Sequence, residues 1–253
     1  MRRSLLLGPR PVARLLSLYL LFAAGCASHS LIPDEDRIRL ERNLPGRTFY
    51  LRQAMYLGPF WSDEARGFLS PGVPDEIPWV VNPAGDPIEP GEPTAIVPVG
   101  TRVRILKIEF PTSLNVARRN PVLPRYNPWV YLQVDGVPDK PTPILLLRRD
   151  LRSHQEVVAE LEQYLSPDDL LPHLRQLPEA VLRAVNEKRL VEDMPAEAVS
   201  MAWGLPERKT FRPSPEGRVE EWIWPFEKRK ARIVGGRLVS WEGSAPRISA
   251  SVD

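Results

Sequence analysis

The sequence predicts an α+β protein in two folded parts: a proline-rich β part, then helices leading into a short antiparallel meander. Three observations carry this. Eighteen of the 29 prolines in the 253-residue chain lie between Pro33 and Pro143. An interior proline removes a helix donor and clashes with the preceding turn, so that stretch is not mostly helix. From Ser153 onward prolines thin out and apolar residues recur at helical spacing. Near the end, Gly235-Gly236 joins two strand-like runs, a strong two-residue hairpin signal. With 43% hydrophobic and 26% charged residues, the chain is composed like a globular protein and can bury a core.

The first 25 residues read as an export signal. Arg2, Arg3, Arg10 and Arg14 form a basic start without an acid, and Leu15 to Ala24 is an apolar run. The run is shorter than the roughly 20 residues of a membrane-spanning helix. Ala23-Ala24-Gly25-Cys26 follows, and Cys26 is the only cysteine. Small residues before a cysteine, directly after an apolar run, resemble the bacterial lipobox, with Ala23 where that family most often has Leu. The resemblance implies cleavage before Cys26, lipidation of its thiol and acylation of its new amine, giving a membrane anchor through N-terminal acyl chains. Ala27 in place of Asp implies the outer membrane, with the body facing the periplasm. A single cysteine excludes an internal disulfide framework and a cysteine-based zinc site. Removing the leader leaves 30 basic against 32 acidic side chains, net −2. The basicity argument for nucleic-acid binding therefore fails, and no nucleic-acid partner is expected.

Residues 26–45 read as a polar tether of mixed charge, and 46–150 as the proline-rich β domain. Within the latter, 46–100 is loop-rich, with a strand at Thr48 to Leu51. RVRILKIEF after the Pro98–Thr101 turn changes phase near Leu106, which predicts a strand with a bulge or bend there. Trp129 to Val134 and Ile144 to Leu147 are further strands, rich in aromatic and β-branched residues, with a turn at Asp135-Gly136. Short strands, long loops and a bent strand suit a small barrel or rolled sheet, SH3-like in size. Tyr126, Trp129 and Tyr131 could line a ligand groove in it. Core packing is the favoured reading, because WVYLQV has no polar face to leave in water.

Residues 151–176 read as a helical connector. Val157, Val158, Leu161 and Leu165 give one apolar face, and Ser166-Pro167-Asp168-Asp169 reads as the start of a second helix. A third begins at Pro178-Glu179. Ala196 to Trp203 is a short helix whose Val199, Ala202 and Trp203 share a face, with Gly204 as its cap and Pro206 as its stop. After a turn segment come strands at Val219 to Trp224, Ala231 to Val234 and Arg237 to Trp241. Ile233, Leu238 and Val239 are the apolar positions of the hairpin, and Arg229, Lys230, Arg232 and Arg237 read as solvated. Residues 244–253 read as a flexible tail.

The stretch 177–243 resembles the SmpA/OmlA (BamE-like) domain of outer-membrane lipoproteins. The matching residues are Met194 and Val199, then Gly204-Leu205-Pro206, Trp222-Ile223-Trp224, and the strands from Arg232 to Trp241. Asp193, Pro195 and Trp224 stand where that family has Gly, Ser or Thr, and Tyr. The resemblance implies two helices on a three-stranded antiparallel meander. It also implies a structural or regulatory role in outer-membrane assembly through contacts with other proteins and lipid; the same fold occurs in protein inhibitors of enzymes. It implies no catalytic residues. Trp224 and Trp241 could contact a partner, although packing is the favoured reading.

Catalytic and metal-binding motifs are not found: there is no G-x-S-x-G, H-E-x-x-H or phosphate-binding loop. His154 and His173 lack a patterned partner and read as surface residues, and Asp168-Asp169 read as first-turn acids rather than metal ligands. Glu220-Glu221 read as solvated or paired with Arg218. The expectation is a non-catalytic, lipid-anchored binding or scaffolding protein of the cell envelope, without cofactor or metal and with an envelope protein as partner. The runner-up is a cell-wall-binding or inhibitor-type module that uses the β domain as its ligand site.

Overall fold

The structure is a computed structural model that describes residues 29–72, 77, 80–81, 85–215, 217–245 and 248. The leader, Cys26 and most of the tail lie outside the described residues. The chain forms α1 (Asp34–Asn43), β1 (Thr48–Leu51), β2 (Met55–Phe60), β3 (Asp63–Ser70), β4 (Ala95–Val97), β5 (Arg102–Glu109), α2 (Ser113–Arg118), β6 (Trp129–Val134), β7 (Thr142–Leu146), α3 (His154–Tyr164) and β8 (Leu165–Ser166). These strands make one eight-stranded mixed sheet in the order β4-β2-β3-β7-β6-β5-β1-β8. The chain continues through α4 (Leu171–Leu174), α5 (Glu179–Asn186), α6 (Ala196–Trp203), β9 (Arg208–Ser214), β10 (Gly217–Ile223), β11 (Lys230–Val234) and β12 (Arg237–Glu242). The last four strands form an antiparallel sheet in the order β12-β11-β10-β9.

This corrects the expected fold class. The molecule is mixed α/β, with an eight-stranded sheet and a four-stranded sheet. It is not a small SH3-like domain followed by two helices on a three-stranded, BamE-like meander. The first sheet draws its strands from residues 48–166 and includes a parallel pair, with Phe68 opposite Ile144 and Leu69 opposite Leu145. In the second sheet the unexpected strand is β9, paired with β10 from Arg208–Ile223 to Ser214–Gly217. Its sequence, RKTFRPS, reads as a turn because an edge strand needs no continuous apolar alternation and tolerates charge and proline.

Two stretches read as connectors are structural. In the segment read as a tether, α1 buries Leu40, with Ile32 before it and Leu44 after it, in the core of the first sheet. In the connector, α3 buries Val157 and Leu161 in that core, and β8 pairs with β1. Ser166-Pro167-Asp168-Asp169 does not start a helix: Ser166 lies in β8 and the following helix begins at Leu171.

β6 explains why WVYLQV has no polar face. Val130, Leu132 and Val134 enter the core under α1 and α3, while Trp129 and Tyr131 enter a second core with Phe60, Phe68, Ile144 and Leu146. A strand alternates its side chains between the two faces, so a central strand covered on both sides is apolar throughout. The bulge lies at the expected place: β5 pairs with β6 through Ile105 and Lys107, and Leu106 is the extra, exposed residue between them. In the second unit, α5 and α6 lay Val181, Val185, Val199 and Ala202 against Trp222, Ala231, Ile233 and Leu238. Gly235 and Gly236 have φ of 57° and 79°, the positive values that a type I′ hairpin requires.

Candidate functional site

The two sheets meet along a seam of hydrogen bonds. Ala54 N donates to Met201 O at 2.9 Å, and Val99 N to the Asn186 side-chain oxygen at 3.2 Å. Lys188, just after α5, extends a buried side chain across the seam. Its ammonium donates to the carbonyls of Ala54, Pro71 and Ala202 at 2.8, 3.0 and 2.9 Å and lies 4.8 Å from the Tyr56 ring centre. A buried charge is tolerated when its hydrogen bonds are made, and here three carbonyl dipoles take the place of water.

A cleft of about 320 Å³ opens beside this clip. Its second-sheet wall begins where α6 stops. Trp203 ends the helix, Gly204 N donates to Ser200 O at 2.9 Å, and Gly204 turns the chain with φ 81° and ψ 178°. That backbone region is essentially restricted to glycine. A Cβ at this position would also lie 2.8 Å from Gln53 Oε1, so the absence of a side chain lets the turn sit against the first sheet. Trp203 Nε1 donates to Lys188 O at 3.0 Å, and Trp224 Nε1 to Gly204 O at 3.2 Å. The two indoles meet edge to face, 5.1 Å apart at 85°, a favoured aromatic geometry.

Arg229 lines the cleft with its guanidinium carbon 5.1 Å from the Trp203 ring centre and 5.7 Å from that of Trp224. It is buried, which corrects the reading of Arg229 as solvated. The first-sheet wall includes Arg148 and Tyr164. Arg148 Nε pairs with the buried Glu160 at 2.8 Å, and that hydrogen bond raises the arginine pKa. Burial pushes the Tyr164 hydroxyl well above its ordinary value; Glu160 adds to the effect and Arg148 opposes it.

The cleft also has an apolar lip. Leu205 is 54% exposed and lines the opening. Phe226 is 59% exposed and follows the lining residue Pro225, held at φ 57°. A bulky residue with positive φ at the tip of a loop is a strained position of the kind found at functional sites. Aromatic walls, an arginine and exposed apolar groups suit the non-covalent capture of an apolar side chain with neighbouring main-chain carbonyls.

The residues singled out from sequence fall in different places. Trp224 is buried in the wall of this cleft. Trp241 lies outside it on the edge strand β12, opposite Ala231, and is exposed. Trp129 is only 1% exposed; its Nε1 donates to Pro124 O, Arg119 covers its ring at 3.8 Å and Phe60 meets it edge on. It has no face left for a ligand. Tyr126 is half-buried, with its hydroxyl accepting from Arg125 and its ring against His29. Cys26 lies outside the described residues.

His173 reaches Glu197 at 3.0 Å on the surface, and Glu220 pairs with Arg218 at 3.1 Å. Among the described residues no group of three or more His, Cys, Asp or Glu converges to hold a metal ion. Sequence reasoning missed Gln53, Lys188, Arg229 and the Leu205–Phe226 lip. The one local signal was the pairing of bulky residues with turn formers in Trp203-Gly204-Leu205-Pro206 and Trp224-Pro225-Phe226. Compared with known proteins, the chain matches no family model, no curated protein and no solved structure.

Proposed function

We propose that this chain is a cell-envelope lipoprotein, held on the outer membrane by acyl chains on Cys26, that binds another envelope protein without catalysis. One observation carries the reading: the only cysteine stands directly after a basic start and an apolar run that ends in the small residues Ala23-Ala24-Gly25. Two lipid modifications or more hold a protein stably on a bilayer, where one does not. The seam cleft supports the binding role. Its polar groups support structure through Arg148–Glu160 and the two indole N–H bonds, while Leu205 in its lining and Phe226, next in sequence to the lining residue Pro225, are exposed.

The test is expression of the full chain in a Gram-negative host fed a labelled fatty acid. The wild type takes up label, loses its leader and floats with outer-membrane vesicles; Cys26→Ser takes up none, and any of it that loses its leader is released by mild salt. Equal membrane retention of unlabelled Cys26→Ser protein that has lost its leader, or an intact leader on cytosolic wild type, overturns the proposal.

A further inference from the structure

Resting on that reading, we infer that the loop between β5 and β6 is a second membrane contact, seated on the phospholipid surface beside the anchor. The first described residue meets this loop: the His29 ring packs edge on against Tyr126, 5.2 Å between centres. Three peptide units separate His29 from Cys26, a span of at most about 10 Å when fully extended. Acyl chains leaving Cys26 therefore enter the bilayer next to Tyr126, and the loop has little room to stand away from the surface.

The loop has the chemistry for that position. From Phe110 to Val134 there is no Asp or Glu, and the charged residues are Arg118, Arg119 and Arg125. Leu114 is 57% exposed and Val122 52%, and Arg118 is exposed between them in sequence. Apolar groups beside arginines whose stems can lie along the interface are the usual make-up of an interfacial contact.

The loop is also rigid enough to present these groups. The buried Arg119 donates to Glu109 and to the carbonyls of Arg125 and Asn127, tying the two ends of the loop together. Two alternatives fit less well. A ligand groove at Trp129 is closed by Arg119. Attraction to anionic headgroups alone is also weak, because the neighbouring α1 begins with Asp34, Glu35 and Asp36, the first of them bonded to Arg37 at 2.7 Å. The contact is therefore led by apolar insertion, with the arginines as a secondary attraction.

The experiment uses the full, lipidated chain with Val122→Cys labelled by an environment-sensitive dye; acylation blocks the Cys26 thiol, so one site is labelled. Leu114→Cys is a second probe, and Val239→Cys on β12 a reference. In vesicles of phosphatidylethanolamine and phosphatidylglycerol, the dyes at 122 and 114 shift to the blue and are quenched several-fold by nitroxide lipids labelled high in the acyl chain, while the dye at 239 does neither. Unchanged dyes at 122 and 114 on protein that floats with the vesicles overturn the inference and leave the anchor standing. A shift seen only after envelope proteins are added overturns it in favour of a protein partner. If mass spectrometry of the N-terminal peptide finds no acyl chains on Cys26, the anchor reading itself fails and the inference falls with it.

Discussion

Lys188 and Ala54, 134 residues apart in sequence, share a buried hydrogen bond of 2.8 Å that joins the two sheets. The same ammonium also bonds the carbonyls of Pro71 and Ala202, so one side chain connects the first sheet, the loop after β3 and the end of α6. Replacing it by Met keeps the stem's volume but turns a thioether toward three carbonyl oxygens. Each buried polar group left without a donor costs on the order of 1–3 kcal/mol. Lys188→Met is therefore expected to lower unfolding stability by about 3 kcal/mol or more, measured by urea denaturation. Hydrogen exchange should report the loss at the seam first, at the Ala54 and Gly204 amides, before the centre of β6.

Gly204 separates a backbone requirement from a steric one. Its φ of 81° with ψ of 178° disfavours any side chain, and a Cβ would crowd Gln53 Oε1, the far end of a flexible side chain. Gly204→Ala is expected to cost about 2 kcal/mol, most of it from the backbone. Adding Gln53→Ala should recover only a minor share. Full recovery in the double variant, read from the midpoint of thermal unfolding, would show that the steric contact dominates instead.

Glu109 is expected to make the β5–β6 loop sensitive to acid. Burial alone would raise its pKa, but the Arg119 guanidinium and the Lys107 ammonium outweigh that and hold it below the ordinary value of 4.5. A carboxylate whose pKa is lower folded than unfolded contributes stability above the unfolded value and loses it as pH falls through the folded one. Stability should therefore decline below about pH 4.5 partly through this group. Glu109→Gln should be less stable at neutral pH and should flatten that part of the profile. An unchanged acid slope in Glu109→Gln would remove Glu109 as a source.

The lip of the cleft should matter for binding and not for folding. Leu205→Ser and Phe226→Ser alter exposed side chains, so each is expected to stay within about 0.5 kcal/mol of wild-type stability. If the lip is where an envelope partner docks, the double variant should lose crosslinked partner by roughly tenfold or more, the size of a central interface contact. Wild-type levels of crosslinking would place the partner elsewhere on the surface.

How much was legible in the sequence follows from how local each feature is. The helix Ala196–Trp203, the strand Thr48–Leu51, the bulge at Leu106 and the Gly235-Gly236 hairpin all agree with the reading of the chain. Each depends on a few adjacent residues: a periodicity, a phase change, a glycine where φ must be positive. The apolar run of β6 pointed to core packing, and the structure buries that strand on both faces. The features that were missed depend on distant partners. RKTFRPS becomes β9 only because the far edge of β10 is there to pair with it, and α1 leaves the expected tether because Leu40 finds a core. Nothing beside Arg229 in the sequence distinguishes it from the solvated charges of the same run; its burial comes from Trp203, 26 positions earlier.

The sequence by itself therefore determined the elements that short-range sterics and periodicity specify, and it supplies the chemistry of the proposed anchor at Cys26. Tertiary structure alone decided the eight-stranded sheet, the fourth strand of the smaller one, and the seam at which Lys188, Gly204, Trp224 and Arg229 meet. The physical reason is that burial and hydrogen-bond satisfaction depend on which distant segments pack together. A lysine or arginine has the same identity in water as in a core, and only its surroundings decide whether its charge faces solvent or a ring of carbonyls.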